Sequence, residues 1–282
     1  MVASFAYRLL ISGLATEIAL FDINFAKSEE AMDLEHAMSV EKQTKIYATD
    51  YAMANSDIVV VTAIPRKPET RLDMIAKNLD IFKDIIPEIS KVCPNSIYII
   101  VSNPVDVMTL ATIKYNLNPK KVITTMLDTM RFKTILNYFV TSSDINAFVI
   151  EHDSQVACFE SASISIPIND FAKSKNIDFS IDTQSQITDD VKNSIVIISK
   201  KMATYYGIAS GTMQIVKAIA GDEKIILPVS SLQATNFGEI CTSMPTVIQN
   251  GIEKIFNLSL NPKEKLKFDA SNKILSEFAK FL

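Results

Sequence analysis

Four short, uninterrupted apolar runs, at residues 17–22, 57–63, 96–101 and 121–123, alternate with stretches of helical periodicity at residues 4–12, 26–37, 71–92 and 104–115. A strand that presents apolar side chains in unbroken succession must be covered on both faces, and helices supply that cover when strands run parallel. No hairpin turn signal separates the runs. They therefore imply βαβ crossovers, and the fold class is α/β with a doubly wound parallel sheet.

The rhythm changes near Ile123, which divides the chain into domains at 1–122 and 123–282. The second part mixes a helix at 127–139, a strand at 145–150, a polar connecting stretch at 182–188, helices at 189–206 and 211–220, a strand at 225–229 and a closing amphipathic helix at 261–282, an α+β pattern. Composition narrows the function classes. With 28 basic and 32 acidic residues spread along 282, the chain offers no basic face for a phosphate backbone, so nucleic acid is not an expected partner. The apolar stretch 5–21 is broken by Arg8 and Glu17 and is too short for a membrane span. Cys93, Cys158 and Cys241 form neither a disulfide framework nor a metal-ligand pattern, so a soluble protein of the reducing cytoplasm, without metal or membrane, is expected.

Few residues have the placement that chemistry needs. Asp22 ends the first apolar run, where a dinucleotide fold puts the acid that accepts hydrogen bonds from a ribose, although a turn or cap would also use an Asp there. The second run, ending at Ala63, feeds a basic loop at 64–71 whose Arg66 and Arg71 either face an anionic substrate or are simply solvated. Of the two histidines, His36 sits on a helix surface, while His152 follows a strand between Glu151 and Asp153. Asp128 and Arg131, three residues apart, share a helix face and supply a carboxylate to orient an imidazole and a guanidinium fork to grip a carboxylate.

Taken together, the segments Gly13-Leu14-Ala15-Thr16-Glu17-Ile18-Ala19-Leu20-Phe21-Asp22, Thr70-Arg71-Leu72-Asp73, Ser102-Asn103-Pro104-Val105-Asp106 and Leu127-Asp128-Thr129-Met130-Arg131-Phe132 resemble the signatures of the NAD-dependent L-lactate and malate dehydrogenases, over nearly the whole chain. The resemblance implies a Rossmann-like NAD-binding domain at 1–122 and a substrate domain at 123–282. It implies His152 as proton donor and acceptor, Asp128 as its orienting partner, and Arg71 as the loop residue that polarises the carbonyl. Arg131 would bind the substrate carboxylate, Asn103 substrate and nicotinamide, and Asp22 and Ala63 the cofactor. The substrate class is a small 2-oxo or 2-hydroxy acid. Arg66 matches the malate branch and points to oxaloacetate, whereas Thr204 and residues 271–275 resemble the lactate branch.

The departures from that pattern are concentrated at glycine. The family's first strand and GxGxxG turn have no counterpart. Six glycines in 282 is about 2%, against roughly 7% in ordinary usage, and none lies between Gly13 and Gly207. Family glycines are expected at the Ala63–Ile64, Pro68–Glu69 and His152–Asp153 joins and around Thr124-Thr125. Either the chain as given omits those residues, or the loops are truly shortened and the protein is a pseudo-enzyme that keeps the fold as a structural or subunit partner. The helix at 71–92 and the segment 208–219 carry more apolar surface than a monomer would hide, so a homodimer or homotetramer is expected. Sedimentation showing only monomer at micromolar concentration would contradict this.

Overall fold

The computed structural model describes residues 2–22, 27–38, 44–49, 55–63, 70–142, 145–150, 156–200 and 204–282. Its N-terminal half runs α1 (Val2–Ser12), β1 (Glu17–Leu20), α2 (Lys27–Ala37), β2 (Lys45–Ala48), β3 (Ile58–Val61), α3 (Arg71–Val92), β4 (Ile97–Ile100), α4 (Val105–Ile113) and β5 (Val122–Thr124). All four expected apolar runs contain strands, and all pairings in this half are parallel. The central strand β4 is 0–2% exposed throughout. Its alternate side chains enter two different cores, Ile97 and Ile99 one, Tyr98 and Ile100 the other. This is why its sequence shows no polar alternation, and each such side chain contributes about 1.5–3 kcal/mol by burial.

The parallel sheet is carried in two pieces, β1–β2 and β3–β4–β5, with no described strand joining them. Helix α1 spans the pieces instead. Its Ala6 and Leu10 pack with Ile18, Leu20 and Ile46 of β1 and β2, while its Phe5 packs with Ile97, Ile99 and Ile123 of β4 and β5. Helix α3 occupies the expected residues because Thr70 caps it, its side chain accepting a hydrogen bond from the Asp73 N–H at 3.0 Å.

The second half continues with α5 (Leu127–Val140), β6 (Asn146–Ile150), β7 (Val156–Ile164), β8 (Ile166–Pro167), α6 (Ile168–Ser174), α7 (Ile181–Ser199), α8 (Tyr206–Ala220), β9 (Ile225–Thr235), β10 (Gly238–Gln249), β11 (Gly251–Ile255) and α9 (Pro262–Ala279). It holds two antiparallel three-stranded sheets, β6–β7–β8 and β11–β10–β9. Two expectations need correction. The polar stretch 182–188 is helical, since Ser180 caps α7 and Ile187 and Val191 anchor it in the core. The helix expected at 189–206 ends at Ser199, and α8 begins at Tyr206 rather than Gly211. Strand β10 is absent from the sequence reading because Thr242, Ser243 and Thr246, at 0% exposure, are as buried as its apolar residues.

In the glycine-free span, other residues take the left-handed backbone conformation: Asn55, Asn116, Thr141, Ser165 and Asn176 all have positive φ. Asparagine tolerates that region through its short polar side chain, but a β-branched residue does so at a cost. The Ala63–Ile64, Pro68–Glu69 and His152–Asp153 joins lie outside the described residues. Thr124 and Thr125 lie within them, and the Thr125 N–H donates to Ile100 O at 3.3 Å. Thr141 closes α5 at φ +52°, its N–H donating to Asn137 O at 2.7 Å. Thr141→Gly should therefore stabilise the protein by about 1 kcal/mol and raise Tm by about 2–4 °C. A lower Tm in thermal denaturation would contradict this.

Candidate active site

The first turn of α5 carries a buried ion pair. Arg131 Nη1 donates to Asp128 Oδ1 at 2.5 Å, with the two side chains only 12% and 11% exposed. Low dielectric strengthens the attraction across this charge-assisted hydrogen bond, which offsets the cost of burying the two charges, and the carboxylate gains from the positive end of the helix dipole. Arg131 Nε is buried without a hydrogen-bond partner among the described residues. The fork thus retains donor capacity beyond the Asp128 bond.

Packing from two sides fixes that turn. Between the charged pair, Thr129 Oγ1 accepts the Val149 N–H at 2.9 Å and ties α5 to the end of β6. On the other side α8 approaches at two glycines. A Cβ at Gly211 would sit 3.0 Å from Met130 Sδ and 3.3 Å from Thr125 Oγ1. One at Gly207 would sit 2.8 Å from Leu127 Cδ1 and 3.6 Å from Thr204 Cγ2. Thr204 and Leu127 thus both lie next to Gly207, at the entry to α8. The sequence reading missed Thr129 as a clamp, because a hydroxyl in the first helical turn signals only a cap.

A second group of expected residues lies at the carboxyl ends of the parallel strands, the binding edge of an open α/β sheet. Asp22 follows β1 and Ala63 follows β3, both half-buried, and exposed Asn103 follows β4. Arg71 opens α3, with its side chain outside the described residues, and Arg66 and His152 lie outside them altogether. The distance from His152 to Asp128 is thus not among the described geometry. The larger described cavity, about 430 Å³ between Pro119, Leu232 and Ile255, contains none of these residues.

Comparison with known proteins decides the family. Residues 1–124 match the lactate/malate dehydrogenase NAD binding domain, and residues 125–280 match the lactate/malate dehydrogenase alpha/beta C-terminal domain. The chain belongs to the lactate/malate dehydrogenase family. It is 40% identical to an L-lactate dehydrogenase of Clostridium botulinum over 289 residues, covering 97% of this chain and 91% of that one. It is also 40% identical to an L-lactate dehydrogenase of Acetivibrio thermocellus, covering 98% and 92%. Its structure is similar to a lactate dehydrogenase from a Medee basin deep-sea metagenome library (TM-score 0.92, 31% identity, 99% and 94% coverage). It is also similar to the Cryptosporidium parvum lactate dehydrogenase complexed with lactic acid and nicotinamide adenine dinucleotide (TM-score 0.90, 27% identity, 99% and 93% coverage).

NAD is the cofactor of this lactate/malate dehydrogenase family member, and the strand-end residues fit it. They place a half-buried carboxylate at Asp22, a half-buried small side chain at Ala63 and an exposed amide at Asn103 along the carboxyl edge of the parallel strands. The match to the Clostridium botulinum relative also contains gaps in this chain. It is 289 residues long but draws on 97% of 282, about 274, so about 15 positions have no counterpart in this chain.

The cysteines take no part in this chemistry. Cys93, Cys158 and Cys241 form no disulfide and are buried. Burial, reinforced by the Glu264 carboxylate and opposed by a backbone hydrogen bond at Ile150, pushes the Cys158 thiol up to about 12. Burial and then Asp106 push Cys241 well above its ordinary range. Among the described residues no group of three or more His, Cys, Asp or Glu could hold a metal ion, and no helix is long and apolar enough to cross a membrane. At about pH 8 a thiol-alkylating reagent should leave the folded protein unlabelled and label all three cysteines after unfolding. Labelling of Cys158 or Cys241 in the native state would contradict their burial.

Proposed function

We propose that this chain catalyses hydride transfer between NAD(H) and a small 2-oxo or 2-hydroxy acid, with pyruvate and L-lactate as the preferred pair. The observation that carries the reading is the buried Asp128–Arg131 pair, in a chain that both halves of the family model match. The bound cofactor supplies or accepts the hydride. Arg131 grips the substrate carboxylate through the donors that Asp128 does not use. Asp128 holds the protonated imidazole of His152, which gives its proton to the oxygen that becomes the hydroxyl and takes it back in the reverse direction. Arg71 stabilises that oxygen as charge develops. Asp22 holds the ribose and favours NAD over NADP, Ala63 and Asn103 line the nicotinamide path, and Thr204 borders the substrate.

The names of the relatives favour pyruvate over the oxaloacetate expectation attached to Arg66. A free Arg66 in a closed site would be costly beside a substrate with one carboxylate, so relative rates read its position. The assembly we propose is a homodimer or homotetramer, supported by Val196 and Ile197 of α7 and Leu266 of α9, which are 62%, 64% and 72% exposed. A cytoplasmic location is supported by three cysteines that form no disulfide.

Steady-state rates with NADH should favour pyruvate over oxaloacetate, and Arg66→Gln should widen the preference. Equal rates in both proteins would mean that Arg66 faces away from the substrate. Arg131→Lys should lower kcat/KM by about 100-fold, since a point charge replaces a planar fork, equivalent to about 2.7 kcal/mol of transition-state stabilisation. An unchanged kcat/KM would remove Arg131 from the site. A folded protein that does not bind NADH would favour the pseudo-enzyme reading.

A further inference from the structure

The core-facing stripe of α3 contains one polar exception. Ile75, Phe82 and Ile86 are 0–2% exposed and apolar, and between them stands Asn78, also 0% exposed. A buried amide in an apolar stripe is expensive unless its hydrogen bonds hold something in place. Asn78 Nδ2 donates to Asn103 O at 2.5 Å. Its Oδ1 is buried without a hydrogen-bond partner among the described residues. Among the described residues, the amide is therefore oriented by its bond to the loop that follows β4.

That loop carries Asn103, whose side chain remains exposed while its carbonyl is held from behind. The preceding residue, Ser102, is 0% exposed and directs its hydroxyl toward Val61 O at 3.5 Å, a contact too long to anchor the loop alone. Asn78 is seven residues after Arg71 on the same helix. Two helical turns separate them, so they lie on one face.

We propose that Asn78 is a positioning residue for the reaction. By fixing the Asn103 backbone to α3, it sets where the Asn103 side chain meets substrate and nicotinamide, and it registers that loop against the helix that bears Arg71. The roles of Asn103 and Arg71 rest on the function proposed above, whereas the hold on the loop does not.

Two measurements test this on the full chain. In hydrogen–deuterium exchange, Asn78→Ala should speed exchange of the backbone amides of Ser102, Asn103, Val105 and Asp106 by about tenfold or more, with β5 and α5 unchanged. Unchanged exchange in the loop would overturn the proposal. In a double-mutant cycle on kcat/KM, Asn78→Ala should cost about tenfold or more alone but less than about twofold in an Asn103→Ala background. Fully additive losses would show a merely structural role and would also overturn it. If Asn78→Ala does not fold, the near-isosteric Asn78→Leu serves in both measurements, since it keeps the volume and removes the donor. A wild-type protein that reduces neither pyruvate nor oxaloacetate would defeat the proposed function, while the exchange result would still decide whether Asn78 holds the loop.

Discussion

The ion pair between Arg131 and Asp128 is the interaction on which the site depends. Two opposite charges at about a tenth exposure are tolerable only with close geometry and packed surroundings, and removing one partner of such a pair typically costs about 3–5 kcal/mol. The fold meets that requirement from three directions. Phe132 and Leu136 sink α5 into the second domain's core, Thr129 ties it to β6, and α8 closes over it where glycine permits contact. The same α8 packs its Ile208, Met213 and Ile215 into the core that holds β4 and β5. The charged turn is thus braced against both halves of the molecule.

The parallel half was largely legible in the sequence because strands buried on both faces leave unbroken apolar runs. The boundaries of α3 were legible too, since Thr70 and Asp73 form a local cap. Much of the second half was not. Strand β10 hides Thr242 and Ser243 as deeply as Ile240, and the polar start of α7 is drawn into helix by Ser180 and by two buried residues further on. Asp128 and Arg131 were expected on one helix face from their spacing, and the structure shows that they bond to each other. Thr129 and Asn78 carried no sequence signal. A hydroxyl and an amide gain meaning only when a distant backbone group reaches them.

The scarcity of glycine has a physical counterpart in the backbone. Turns that glycine would ordinarily make are made by Asn55, Asn116 and Asn176, and less comfortably by Thr141 and Ser165. Where two elements meet closely, glycine persists. Gly207 and Gly211 lie against Leu127 and Met130, whose side chains would have to shift to admit a Cβ, and Gly251 sits at φ +105° with Lys120 O 2.5 Å from where a Cβ would lie. Separately, the parallel sheet is carried in two pieces among the described strands, bridged by α1, and the match to a 40% identical relative leaves about 15 positions without a counterpart in this chain.

The central claim is that this chain moves a hydride from the nicotinamide ring to the carbonyl carbon of a small 2-oxo acid. Isotope tracing tests it most directly. With NADH deuterated at the transferable position of nicotinamide C4 and pyruvate as acceptor, the deuterium should appear at C2 of L-lactate, one atom for each NADH oxidised. Lactate without deuterium at C2, or unaltered NADH in the presence of folded protein and pyruvate, would contradict it.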